Sequence, residues 1–240
     1  MLPHTGSSPL WNYNSVIMNY CDGGSFAGSA TVEHAGTTLH FRGKDIRDAT
    51  VRALQTEHSM DAASDVVVSG QSAGGLAVFL GLDTMAAQIH RTSPQTRVVG
   101  LPDAGVFLDM SSPLGTLFPE QDAKKRRSGL NPTGQLEFGY SMRDINTLMN
   151  IEGGGGSNVE CVRARGSAPS ASTIASRPCV FAQYLAPYIA TPFFLIQSQY
   201  DSWYRRSPHT SRPATTTAAA AATHIHTNTS TPPPPPPPPL

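Results

Sequence analysis

The stretch that most constrains this chain is Val66-Val67-Val68-Ser69-Gly70-Gln71-Ser72-Ala73-Gly74-Gly75-Leu76. A short valine run stops at a Gly-x-Ser-x-Gly pentapeptide, and a helical pattern follows. That order predicts a strand, a tight turn and a helix, with Ser72 at the apex of a nucleophile elbow. Such a turn holds its apex residue in a strained backbone conformation. Gly70 and Gly74 flank it where a side chain would crowd the neighbouring strand and helix. The geometry lifts the Ser72 hydroxyl clear of the sheet. It also aims the Ala73 amide, at a helix N-terminus, toward a developing oxyanion.

The pentapeptide alone is a weak signal, because an ordinary glycine-rich turn can have the same composition. Its surroundings favour the elbow. Asp65-Val66-Val67-Val68 is β-branched, as expected of a strand buried on both faces. After Gly75, the residues Val78, Leu82, Met85 and Ile89 recur at spacings of four, three and four, which puts them on one helical face.

The chain has 240 residues and 17 basic against 17 acidic side chains, with a pI near 7.1. That length suits one α/β domain, and the balance gives no sign of a nucleic-acid or membrane-surface partner. The basic run Lys124-Lys125-Arg126-Arg127 sits between acidic and glycine/proline-bearing sequence and reads as a solvated loop. No window of about 18 apolar residues is present, so no membrane span is expected. The N-terminus has no basic region followed by an apolar core, so no signal peptide is expected. With three cysteines (Cys21, Cys161 and Cys179), at least one lacks an intrachain partner.

Taken in order, Asn14–Tyr20 reads as a strand. It ends in the glycine-rich loop Cys21–Ser29, which is either a connector or a ligand loop at the carboxyl end of a parallel strand. Leu39–Gly43 reads as extended. Lys44 to Glu57 reads as a helix with Ile46, Thr50, Val51 and Leu54 on one side. Arg97–Leu101 is a further strand, and Asp103 after it reads as a turn-capping aspartate rather than a catalytic acid. Residues 111–135 are loop-like. Gln135 to Met149 holds a helix with Leu136, Met142, Ile145 and Leu148 as its apolar positions. Gly153–Gly156 reads as a flexible internal break. Phe193–Gln197 is the last strand, and Asp201 follows it. On the residues alone Asp201 reads as a turn residue, although the order Ser72 then Asp201 also suits an α/β-hydrolase acid. From about Ser207 Thr, Ala and Pro dominate, and residues 232–239 are all proline. Residues 207–240 are therefore expected to be a disordered low-complexity tail after a domain over residues 1–206.

Five ordered segments resemble the pectin acetylesterase family, which also includes the Notum carboxylesterases. They are Tyr20–Gly28, Leu39–Gly43, Val68–Leu76, Asp103–Asp109, and Thr191–Phe194 with Tyr200–Trp203. The similarity lies closer to the pectin acetylesterase branch. It implies an α/β-hydrolase-like fold, mostly a parallel sheet with flanking helices and here incomplete. It also implies a secreted or cell-wall serine carboxylesterase, expected to be monomeric, that needs neither metal nor cofactor and removes acetyl groups from a pectin-like polysaccharide. Carried over by position, Ser72 is the nucleophile, Asp201 the triad acid and Ala73 an oxyanion donor. The resemblance further implies a disulfide between Cys161 and Cys179.

This chain departs from the family pattern. Gln71 stands where the family has cysteine, outside the chemistry. An upstream Gly-Gly-Gly-Trp-type segment, source of the second oxyanion amide, has no counterpart. The Thr/Ala/Pro tail replaces the region holding the family's histidine, and His209, His224 and His226 lack its surroundings. The chain as written is therefore expected to be inactive or nearly so. A non-catalytic binder of glycan or lipid, or a Notum-like protein carboxylesterase, is the alternative.

Overall fold

The computed structural model describes residues 10, 12–109, 138–165 and 178–201. Its centre is a parallel pair, β3 (Asp65–Gln71) and β4 (Arg97–Asp103), preceded by an antiparallel hairpin of β1 (Ala30–His34) and β2 (Thr37–Phe41). The helices α1 (Gly43–Glu57) and α2 (Ala73–His90) flank the first half. The helices α3 (Phe138–Leu148), α4 (Val159–Arg165) and α5 (Ala182–Leu185) belong to the second. Among the described residues no helix is long and apolar enough to cross a membrane. The expected tail, residues 207–240, and the whole of the loop 111–135 lie outside the described residues.

The β3–β4 register runs without slip from Asp65↔Arg97 to Gln71↔Asp103. On β4, Val98, Gly100 and Pro102 point inward in strict alternation, and α2 packs against both strands. Gly100 is needed here: a Cβ would meet Leu82, Phe193 and Val78. The predicted strand Phe193–Gln197 runs beside β4 but pairs only through two parallel bridges, Gly100↔Phe193 and Asp103↔Ile196. Pro102 explains the gap. The Gly100 N–H donates to Pro192, Phe194 to Gly100, Ile196 to Pro102 and Ala104 to Ile196. Proline has no N–H to supply the link between them.

Several sequence expectations change. The strand predicted at Asn14–Tyr20 is not a strand. Among the described residues nothing pairs with it, and Ile17 is 78% exposed. The loop after it is packed rather than open, since Gly24, Ser25, Ala27 and Gly28 are buried. Asp22 clamps it, accepting the Gly24 N–H on Oδ1 (3.0 Å) and the Gly43 N–H on Oδ2 (2.7 Å), so a residue 21 positions upstream caps α1. The Gly153–Gly156 run is not a break either. It is a hydrogen-bonded turn whose Gly156 lies flat on Ala27.

Among the described residues β3 is paired on one edge only, and it is half-buried rather than buried on both faces. α2 buries Leu76 to Leu82 all round, beyond the one face its spacing predicts.

Polar side chains share the inner faces of α1 and α3. In α1 the buried positions are Gly43, Arg47 and Val51, while Ile46 is 42% exposed. Arg47 lies beneath Gly81, and its Nε donates to Asp48 (3.0 Å). Burial works against the Asp48 charge, but the Lys44 bond and the Arg47 cation outweigh it and hold this carboxyl below its usual range. In α3 the buried side chains are Arg143 and Asn146, while Leu148 is exposed.

Cys161 and Cys179 form a disulfide, both fully buried, and Cys21 is free and exposed. The bridge closes a loop with a sequence separation of 18. Chain entropy for a loop of that size gives about 3 kcal/mol. The Cys161→Ser/Cys179→Ser variant should therefore lose about 2–4 kcal/mol in urea unfolding. An unchanged midpoint would show that the bridge does not constrain the unfolded chain.

Candidate active site

Ser72 stands between β3 and α2 with φ 56° and ψ −118°, a conformation a non-glycine residue adopts at a cost of order 1–3 kcal/mol. The surrounding structure holds it there. Its N–H donates to the Asp103 carbonyl (2.9 Å), and its own carbonyl accepts the first helical bond from Leu76 (2.9 Å). The side chain is exposed, and among the described residues its hydroxyl has no hydrogen-bond partner. Ala73 opens α2, so its N–H has no partner four residues earlier in the helix and lies at the positive end of the helix dipole.

The glycines divide differently from the expectation. A Cβ on Gly70 would strike the Gly74 carbonyl, as expected, whereas one on Gly74 meets nothing within 4 Å among the described atoms. The crowded glycine beyond the serine is Gly75, where a Cβ would lie 2.5 Å from the Asp103 carbonyl oxygen and 2.8 Å from Gly105 Cα. The first turn of α2 thus rests directly on the Asp103–Gly105 backbone.

Asp103 is more than a turn cap. It ends β4 opposite Gln71, its carbonyl fixes Ser72, and its carboxylate accepts a bond from Gln71 Nε2 (3.4 Å). The backbone then turns sharply at Ala104, with φ 49°. Beyond it, Asp109 and Arg143 form a buried ion pair, which Tyr184 Oη joins (3.1 Å to Asp109) and the Phe181 ring underlies (4.9 Å to its centroid). Gln183 Oε1 accepts the Asp109 N–H (2.7 Å).

Asp201 follows the segment that bridges β4 at Ile196. The parallel order β3, β4, 193–196 therefore delivers Ser72, Asp103 and Asp201 to one carboxyl edge, in that sequence. Gln197 links the last two strand ends. Its Oε1 accepts the Val106 N–H (3.2 Å), and its Nε2 donates to Asp201 Oδ2 (3.3 Å). Sequence reading passed over Gln197 as the end of a strand. The available signal was a polar residue in step with the inward-facing Phe193 and Leu195.

Of the described histidines, His90 ends α2, about 27 Å along the helix from Ser72. Its Nε2 is 2.9 Å from the Thr96 carbonyl. His34 and His40 belong to the β1–β2 hairpin, and His58 follows α1. None is hydrogen-bonded to Ser72. His209, His224 and His226 lie outside the described residues. Among the described residues no three His, Cys, Asp or Glu side chains are grouped to hold a metal ion.

Residues 5–124 and 157–232 match the protein family described as Pectinacetylesterase. Pectin acetylesterase 7 of Arabidopsis thaliana is 29% identical over 196 residues, 81% of this chain and 41% of that protein. Pectin acetylesterase 5 of the same plant is 31% identical over 195 residues, 81% of this chain and 38% of that protein. The palmitoleoyl-protein carboxylesterase notum2 of Xenopus laevis is 33% identical over 109 residues, 45% of this chain and 22% of that protein. The chain spans about two fifths of the length of these plant relatives. Similarity to the plant proteins extends over much more of the chain than similarity to notum2.

Close contact at Gly75 and open space at Gly74 separate two neighbouring substitutions. Gly75→Ala should cost about 1–3 kcal/mol by overpacking against Asp103 and Gly105. Gly74→Ala should be neutral or slightly stabilising, as alanine replaces glycine in a helix. Thermal denaturation of both variants checks this, and equal losses would contradict it.

Proposed function

The chain belongs to the pectinacetylesterase family, and from that premise we propose that it carries the nucleophile, one oxyanion donor and the acid of a serine carboxylesterase built on an α/β-hydrolase sheet. Where the family's triad histidine is supplied, Ser72 Oγ would attack the carbonyl carbon of an acetyl ester and give its proton to that imidazole. Asp201 orients that imidazole, and the Ala73 N–H receives the negative charge forming on the carbonyl oxygen. The alcohol leaves with the proton, the acetyl group stays on Ser72, and water releases it as acetate. The substrate is an acetylated, pectin-like polysaccharide, in keeping with the names of the plant relatives. The protein works outside the cell or in the cell wall, where a buried disulfide such as Cys161–Cys179 forms and persists.

The observation that carries this reading is the strained, exposed Ser72 at a helix N-terminus, on the same strand edge as Asp201. A second reading, a glycan binder without turnover, rests on the sequence around His209, His224 and His226, none of which has the surroundings of the family's histidine. A serine without its base is a weak nucleophile at neutral pH.

Fluorophosphonate labelling separates the two. The esterase reading expects slow labelling of the wild-type chain that Ser72→Ala abolishes, with p-nitrophenyl acetate hydrolysis lost in parallel. Retained binding to acetylated pectin with no labelling would support the binder and reject the esterase.

A further inference from the structure

We propose that Gln197 is a positioning residue for Asp201, holding the carboxylate at the strand edge that carries Ser72. The inference deepens the esterase reading and rests on it for its catalytic meaning. A glutamine carboxamide has one accepting and one donating end. Gln197 uses both. Oε1 takes the Val106 N–H at 3.2 Å, and Nε2 gives a hydrogen to Asp201 Oδ2 at 3.3 Å. The opposite amide orientation would place NH2 against N–H and oxygen against carboxylate, so only one orientation satisfies both neighbours.

Both Gln197 and its partner Val106 are tied to the elbow. Val106 follows Asp103–Gly105, on which Ser72 and Gly75 rest. Gln197 follows Ile196, whose N–H donates to Pro102 and whose carbonyl accepts from Ala104, both at short range (2.9 and 2.8 Å). The Gln197 side chain thus links the β4 exit to a carboxylate four residues further along the chain. Among the described residues no strand pairing extends as far as Asp201. A catalytic acid must orient its imidazole to within a fraction of an ångström, and a displacement of about 1 Å can cost on the order of a hundredfold in rate.

Gln197→Glu splits the two halves of the role, because glutamate still accepts the Val106 N–H but cannot donate to Asp201 and repels it. Gln197→Leu loses both. Three measurements on the full chain test the proposal. In Gln197→Glu, hydrogen exchange at the Val106 amide should stay as slow as in the wild type, while kcat for p-nitrophenyl acetate falls roughly tenfold to a hundredfold with KM unchanged. In Gln197→Leu, the Val106 amide should exchange faster and kcat should fall as well. In Asp201→Ala, the Gln197 side-chain amide proton resonance should move upfield as its acceptor is removed. A wild-type kcat in Gln197→Glu would overturn the proposal, as would an unmoved Gln197 resonance in Asp201→Ala. If the wild-type chain hydrolyses nothing, the esterase reading fails, and the resonance alone decides whether Gln197 holds Asp201.

Discussion

The hydrogen bond from the Ser72 N–H to the Asp103 carbonyl sits where every other feature of the site converges. It exists because β3 and β4 run parallel without slip to their last pair, Gln71 and Asp103. A shift of one residue would turn Asp103 to the other face and leave the elbow unsupported. The same backbone stretch receives the first turn of α2 through Gly75 and Gly105, so helix and strand are set against each other at main-chain distance. The strain at Ser72 is held by these contacts and not by the serine itself. That is the physical difference between an elbow and a loose glycine turn.

A second set of constraints comes from buried and half-buried polar groups. Asp83 on α2 accepts the Thr191 and Ala190 N–H groups and an Asn158 amide (2.8, 3.0 and 2.9 Å), which sets the start of the segment ending at Asp201. Asp109 and Arg143 tie the β4 exit to α3. Glu152 and Ser157 reach the Cys179 backbone beside the disulfide. Breaking a buried pair by removing one partner costs about 3–5 kcal/mol, because the survivor stays charged and dry. The polar interior thus determines where the loops at the site edge lie, while the apolar core of α2 supplies the burial that holds them together.

The elbow was legible because its signal is local: β-branched residues, two glycines, a serine and a helical repeat, all within one stretch. The places of α1, α2, β3 and β4 follow for the same reason, although both strands run two or three residues further than their apolar runs. The inner faces of α1 and α3 were legible only in part: Val51 is buried and Met142 and Ile145 pack against the core as their spacing suggested. Ile46 and Leu148 are exposed, and Arg47, Arg143 and Asn146 are buried beside the apolar positions. Whether an arginine is buried depends on a distant partner, Gly81 for Arg47 and Asp109 for Arg143, and no periodicity encodes that. The Asn14–Tyr20 strand failed in the same way, since β propensity creates no partner. Pro102 is the reverse case: it is plain in the sequence, yet its interruption of the ladder appears only once its neighbour is known.

By itself the sequence determined the strand–serine–helix turn, the family and the pairing of Cys161 with Cys179 that the family resemblance implies. These depend on residues close together or on an ordered set of motifs. Tertiary structure alone decided that Gly75 and not Gly74 meets the neighbouring strand. It also decided that Asp103 supports the elbow through its carbonyl, and that Gln197 bridges Val106 and Asp201. The first two contacts and the Gln197–Val106 bond join segments far apart in the chain and are fixed by register and packing, of which local chain chemistry carries no record; only the Gln197–Asp201 bond is local.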